Sequence, residues 1–205
     1  GSSNCANGPS SVIGGGYNNT ASSNYSTIGG GECNLTSASS HVTIGGGLNN
    51  STSRLTNCST IGGGESNFVS GFWVTIGGGF QNCADRDGSV IAGGFNNTLE
   101  STYSTIGGGY CNTIAIPSDY SVLGGGCANI IASGSTSATI GGGICNQSIN
   151  GSCSTIGGGL INTTSANMAT IGGGGSNNAS GGVSTISGGW GNFASSVYDT
   201  VGGGL

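Results

Sequence analysis

An aliphatic residue followed by glycines returns every 15 to 17 residues along the whole chain, and no other feature of the sequence limits the fold so tightly. These anchors are Ile13, Ile28, Ile44, Ile61, Ile76, Ile91, Ile106, Leu123, Ile140, Ile156, Ile171, Ile186 and Val201, with successive spacings of 15, 16, 17, 15, 15, 15, 17, 17, 16, 15, 15 and 15. A coil of 15 residues with insertions of one or two accounts for the series. The insertions all fall between the eighth residue after an anchor and the next Ser-Thr-Ile, which marks that stretch as a tolerant loop.

Numbering each coil from its anchor as position zero exposes the consensus. Positions two and three are glycine in all thirteen copies, and position one departs from glycine only at Ala92 and Ser187. Position six is asparagine wherever the chain reaches it: Asn19, Asn34, Asn50, Asn67, Asn82, Asn97, Asn112, Asn129, Asn146, Asn162, Asn177 and Asn192. The Ser-Thr-Ile or Val-Thr-Ile ahead of the glycines reads as a short β-branched strand of period two, and the glycine triplet as a corner needing positive φ or close backbone approach. A second short strand is expected over positions six to nine, with Val69, Leu99, Ile114 and Ile131 at position eight. Asparagines stacked coil on coil would form an amide ladder that satisfies polar groups at the corner. One such coil cannot bury its own apolar stripe, so stability has to come from stacking, with parallel strands about 4.8 Å apart. The fold class is therefore all-β: a parallel β-solenoid, or β-roll, of about 15 residues and two short strands per coil, with roughly 13 coils in a single array over residues 1–205. The repeat phase starts and stops inside a coil, as expected of a window in a longer array or of a unit that stacks end to end.

Composition removes the competing classes. Charged residues are 4% of the chain where about 25% is usual, and strong helix formers are scarce. The net charge of -5 includes only two basic residues, Arg54 and Arg86, so nucleic-acid binding by phosphate neutralisation is not expected. No apolar run approaches the length of a membrane-spanning helix, and no membrane insertion is expected. Catalysis has little to work with. His41 is the single histidine, Asp85 and Asp87 form the one acidic cluster, and the glycine triplets lack the lysine and following helix of a phosphate-binding loop. The expectation is a protein that is not an enzyme, with no catalytic residues, metal site or cofactor.

Four sets of residues are the candidates for function. The residue before each anchor is Thr27, Thr43, Thr60, Thr75, Thr105, Thr139, Thr155, Thr170, Thr185 or Thr200, with Val12, Val90 and Val122 completing the column. If the anchors point inward, this ladder points outward, and it reads as a packing face between subunits, as an ice-binding face, or as plain β propensity on a solvated face. Aromatic residues collect at position four (Tyr17, Phe80, Phe95, Tyr110, Trp190) and three before the anchor (Tyr25, Trp73, Tyr103, Tyr120, Tyr198), where they would cover glycine-rich backbone or bind glycans. Of eight cysteines, Cys111, Cys127, Cys145 and Cys153 lie in successive coils and are candidates for disulfides along the solenoid, while pairing between chains or free thiols stay open for Cys5, Cys33, Cys58 and Cys83. Finally, Asn-x-Ser/Thr sequons at Asn18, Asn24, Asn34, Asn49, Asn50, Asn57, Asn96, Asn146, Asn150, Asn162 and Asn178 would permit glycosylation, although a chain so rich in Asn, Ser and Thr also produces such triplets by chance.

The Ser-Thr-Ile-Gly-Gly-Gly-x-x-Asn unit, as in residues 26–34, 59–67, 104–112 and 154–162, resembles the head repeats of trimeric autotransporter adhesins and the related fibre repeats of phages and large viruses. The resemblance spans essentially the whole chain. It implies a left-handed parallel β-roll in which three chains pack side by side, on an extracellular, cell or virion surface, with a structural or adhesive role toward a host-surface or matrix receptor. The chain's main partner would then be itself, as a homotrimer or an end-to-end filament. A monomeric ice-binding solenoid and a glycan-binding module are the alternatives.

Overall fold

The structure, a computed structural model, describes residues 1–37 and 39–205. Among the described residues are twenty-six strands of two residues each, two to a coil, and no helix. In every coil one strand is the anchor with the Thr or Val before it, ahead of the glycines, and the other occupies positions seven and eight, as in Thr75–Ile76 and Cys83–Ala84. All pairing is parallel and in register: Ile61 lies beside Ile76 and Ile76 beside Ile91, while Thr60, Thr75 and Val90 run alongside them. The all-β parallel solenoid of about thirteen coils is thus the observed architecture.

Two compact units divide the chain, Gly1–Leu99 and Glu100–Leu205. In the first, one sheet runs from Cys5–Ala6 to Thr98–Leu99 and the other from Val12–Ile13 to Val90–Ile91. In the second, the corresponding sheets run from Thr113–Ile114 to Phe193–Ala194 and from Thr105–Ile106 to Thr200–Val201. The coils of 16 and 17 residues keep the same register. Leu35 pairs with Ser51 and Thr113 with Ile130, and positions four before the anchor still meet, as in Ser40 and Asn57. Each insertion is therefore absorbed between position eight and that bridge, for instance in residues 53–56.

Burial alternates along each strand. The second residue is buried in every strand save three at the chain ends, Cys5–Ala6, Val12–Ile13 and Thr200–Val201, and the first is never buried, with Leu35 and Phe193 among those exposed. The anchors from Ile28 to Ile186 have no exposed surface, and Ile13 and Val201, in the terminal coils, are half-buried. Position eight adds a second inward column that includes Ala21, Val69, Leu99, Ile114 and Ile131. The core is thin, and much of it is polar. Position six is the asparagine column, and two before the anchor stands a buried column rich in serine, including Ser59, Ser104 and Ser121. These serines behave as a hydrogen-bonded ladder of their own: the Ser121 and Ala138 N–H groups donate to the hydroxyls of Ser104 and Ser121 at 3.0 and 3.1 Å. Buried hydroxyls are tolerated where a neighbouring coil supplies a partner, and Ser184 is a member of the column whose hydroxyl has none.

Candidate functional site

The asparagine ladder sets the corner from which the outer faces diverge. From Asn19 to Asn82 and from Asn112 to Asn192 the side-chain amide nitrogen reaches two backbone carbonyls, its own coil's glycine at position two and the next coil's glycine at position three. For Asn82 these are Gly78 at 3.0 Å and Gly94 at 2.9 Å. Its Oδ1 in turn accepts the Asn97 backbone N–H at 3.1 Å, just as Asn82 donates to Asn67. The third glycine of the triplet is what lets the amide so close. Gly79 has φ of +91°, and a Cβ there would lie 2.1 Å from the Gly94 carbonyl oxygen. Only glycine meets both conditions.

The middle glycine behaves differently. At Gly15, Gly173 and Gly188 a Cβ would meet nothing within 4 Å, and none of the three has positive φ. At nine of the remaining ten copies, Gly30 and Gly78 among them, φ lies between +122° and +157°, so backbone freedom is what keeps glycine at position two in most coils. The outward Thr/Val column stands one residue before the anchors. Thr27, Thr43, Thr60, Thr75 and Thr200 are exposed, and Thr105, Thr139, Thr155, Thr170 and Thr185 are half-buried; Val12 and Val122 are exposed and Val90 half-buried. The result on each unit is a strip of methyls and hydroxyls followed along the chain by exposed glycine at position one, as at Gly29, Gly45 and Gly62.

The opposite face supplies a control. Position seven is also the outward residue of a two-residue parallel strand, but there the chain carries Cys5, Thr20, Leu35, Ser51, Phe68, Cys83, Thr98, Thr113, Ile130, Gln147, Thr163, Asn178 and Phe193. If β propensity alone chose outward residues, both columns would vary alike. One column tolerates nearly anything, and the other only Thr or Val.

Both aromatic rows lie at corners. The residues three before the anchor take left-handed backbone conformation without being glycine, with φ of 51° at Tyr25, 58° at Trp73 and 62° at Tyr198. Their side chains are exposed, and neighbours stack along the coil axis: Tyr25 on His41 at 5.1 Å between ring centres, Tyr103 on Tyr120 at 5.6 Å. At position four, Phe80 stacks on Phe95 at 5.0 Å, and the Trp190 ring lies so close over Gly175 that a Cβ there would be 2.2 Å away. Tyr17, Tyr110 and Trp190 are exposed. Sequence reasoning assigned the positive-φ turns to the glycine triplet and missed these non-glycine corners, for which residue type gives no signal.

The disulfides suggested for Cys111, Cys127, Cys145 and Cys153 do not form: Cys127, Cys145 and Cys153 are free thiols. Register is the reason. Cys111 and Cys145 share position five but are two coils apart, about 10 Å, with Ala128 between them. Cys127 occupies position four, where it bridges Tyr110 and Ile144, and Cys153 lies at the other corner with φ of 57°. Side chains stacked in a parallel array point the same way, so even neighbouring cysteines do not converge. The Cys111 thiol raises the ionisation of Tyr110 above the usual 10, through charge repulsion and a hydrogen bond, with Cys127 adding to it.

Of the sequon asparagines, Asn18, Asn24, Asn49, Asn96 and Asn150 are exposed, and Asn57 and Asn178 are half-buried. Asn34, Asn50, Asn146 and Asn162 belong to the buried ladder. Among the described residues no three His, Cys, Asp or Glu side chains gather as a metal site. Asp87 is used to accept the Phe72 backbone N–H at 2.8 Å. No protein-family model and no curated protein matches the chain.

Proposed function

We propose that this protein is a structural, non-enzymatic β-solenoid that assembles with copies of itself through the Thr/Val–Gly face, in an extracellular, cell-surface or virion-surface fibre with an attachment role. The observation that carries the reading is the contrast between the two outward columns, one restricted to Thr and Val and the other free. A partner that touches every coil in the same way must itself repeat at the coil spacing, and a second copy of this chain does. Bare glycine beside the ladder lets another backbone approach closely. Valine at three positions keeps the methyl and loses the hydroxyl, a change that a dry protein contact accepts. The repeat's resemblance to trimeric adhesin heads and viral fibres favours three chains, with the exposed aromatic corners left to face a receptor.

Native mass spectrometry of the intact chain tests this. Oligomers, with the trimer dominant, are the expected result, and a monomer at concentrations well above physiological contradicts it. A monomer that shows thermal hysteresis, lost on combining Thr155→Leu with Thr170→Leu, would instead assign the face to ice.

A further inference from the structure

The repeat itself manufactures sequons in its own interior. Position six is always asparagine and position eight is inward, so wherever position eight is Ser or Thr the two make an acceptor triplet. This happens at Asn34/Thr36, Asn50/Thr52, Asn146/Ser148 and Asn162/Thr164, and all eight residues are at most 3% exposed. The nitrogen that would carry a glycan is the one that holds the corner. Asn50 Nδ2 donates to Gly46 at 2.9 Å and Gly64 at 2.8 Å, and Asn162 Nδ2 to Gly158 at 2.9 Å and Gly174 at 3.0 Å. Joining a sugar to that nitrogen replaces one of its two hydrogens, so one carbonyl loses its donor. The sugar would also need room between two glycine backbones in contact.

We infer that N-glycosylation at these four asparagines and folding of the chain are mutually exclusive, so that the protein reaches its fold where oligosaccharyl transfer to nascent chains does not occur. Transfer in the secretory pathway acts on unfolded chain, before burial can protect the ladder. The exposed acceptors Asn18, Asn24, Asn49, Asn96 and Asn150 are a separate class: a glycan there meets solvent and leaves the ladder intact. The inference does not depend on what the Thr/Val face binds. It narrows the route by which a surface fibre of this kind can be made: folding in a cytosol-like compartment first, export or virion assembly afterwards.

The test is to produce the full chain in a bacterial cytosol and, with a secretion signal, through the endoplasmic reticulum of a eukaryotic cell. Each product is separated into protease-resistant and protease-sensitive fractions, and glycan occupancy at every sequon is mapped by mass spectrometry. The cytosolic chain is expected to be resistant. The secreted chain is expected to be largely sensitive, with occupancy of Asn34, Asn50, Asn146 or Asn162 confined to the sensitive fraction and any resistant molecules glycosylated only at exposed sites. Combining Thr36→Val, Thr52→Val, Ser148→Ala and Thr164→Val removes the four interior acceptors and keeps the asparagines. If that variant is resistant when made in the cytosol, it should also become resistant when secreted. Resistant secreted wild-type molecules with glycans on the ladder would overturn the inference. So would a secreted wild-type chain as resistant as the cytosolic one with those four sites empty.

Discussion

Two residue types hold each corner, and they fail differently when replaced. Asn82→Ala removes the side-chain donor to the Gly78 and Gly94 carbonyls and the Oδ1 that accepts the Asn97 backbone N–H. At about 1–3 kcal/mol for each buried group left unsatisfied, the loss is expected to be on the order of 3 kcal/mol or more, read from chemical denaturation. The glycines divide by position. Gly79→Ala places a side chain at positive φ against a carbonyl and should cost more than about 2 kcal/mol, whereas Gly173→Ala meets open space and should stay within about 0.5 kcal/mol of wild type. Sequence alone ranks these two glycines as equal members of the consensus triplet, Gly79 at position three and Gly173 at position two. Backbone φ and the space an added Cβ would meet separate the one that closes the corner from the one that faces open space. Tyr110 gives a pH marker: ultraviolet titration should place its ionisation above 10, and Cys111→Ala should lower it. Because the folded chain holds that proton more tightly than the unfolded one, the contribution to stability is complete below about pH 10 and is lost as the pH rises through the folded value.

At the level of the strand, two residues are too few to be stable except as rungs. Each anchor packs between the anchors above and below it, so Ile76→Ala removes contacts to Ile61 and Ile91 together. A loss of about 2–5 kcal/mol is expected in denaturant unfolding, and the cavity should destabilise adjacent coils more than distant ones, which hydrogen exchange resolves coil by coil. The strands, their register and the anchor and asparagine columns were legible because a fixed period converts sequence spacing directly into stacking. The serine ladder two before the anchor was not, since Ser59 or Ser104 looks like an ordinary surface residue until its neighbour coil supplies an acceptor. The cysteine pairings failed for a related reason. Proximity in successive coils suggested disulfides, but a parallel register keeps equivalent side chains side by side and pointing the same way.

Across the whole molecule, function depends on why one outward column is uniform. The period revealed the Thr/Val column, but it could not separate a packing face from β propensity. The second sheet, whose outward column is built in the same way and left unrestricted, is what the proposed packing face rests on. The direct measurement is a matched pair of variants: Thr139→Lys with Thr155→Lys on the uniform face, and Gln147→Lys with Thr163→Lys on the variable one. All four sites are half-buried strand residues, so the intrinsic cost to the coil is similar. Sedimentation velocity over a range of concentrations should show the first variant reduced to a monomer and the second associating like wild type. Equal association of both, or loss of association in both while each stays folded, would contradict assembly through the Thr/Val–Gly face.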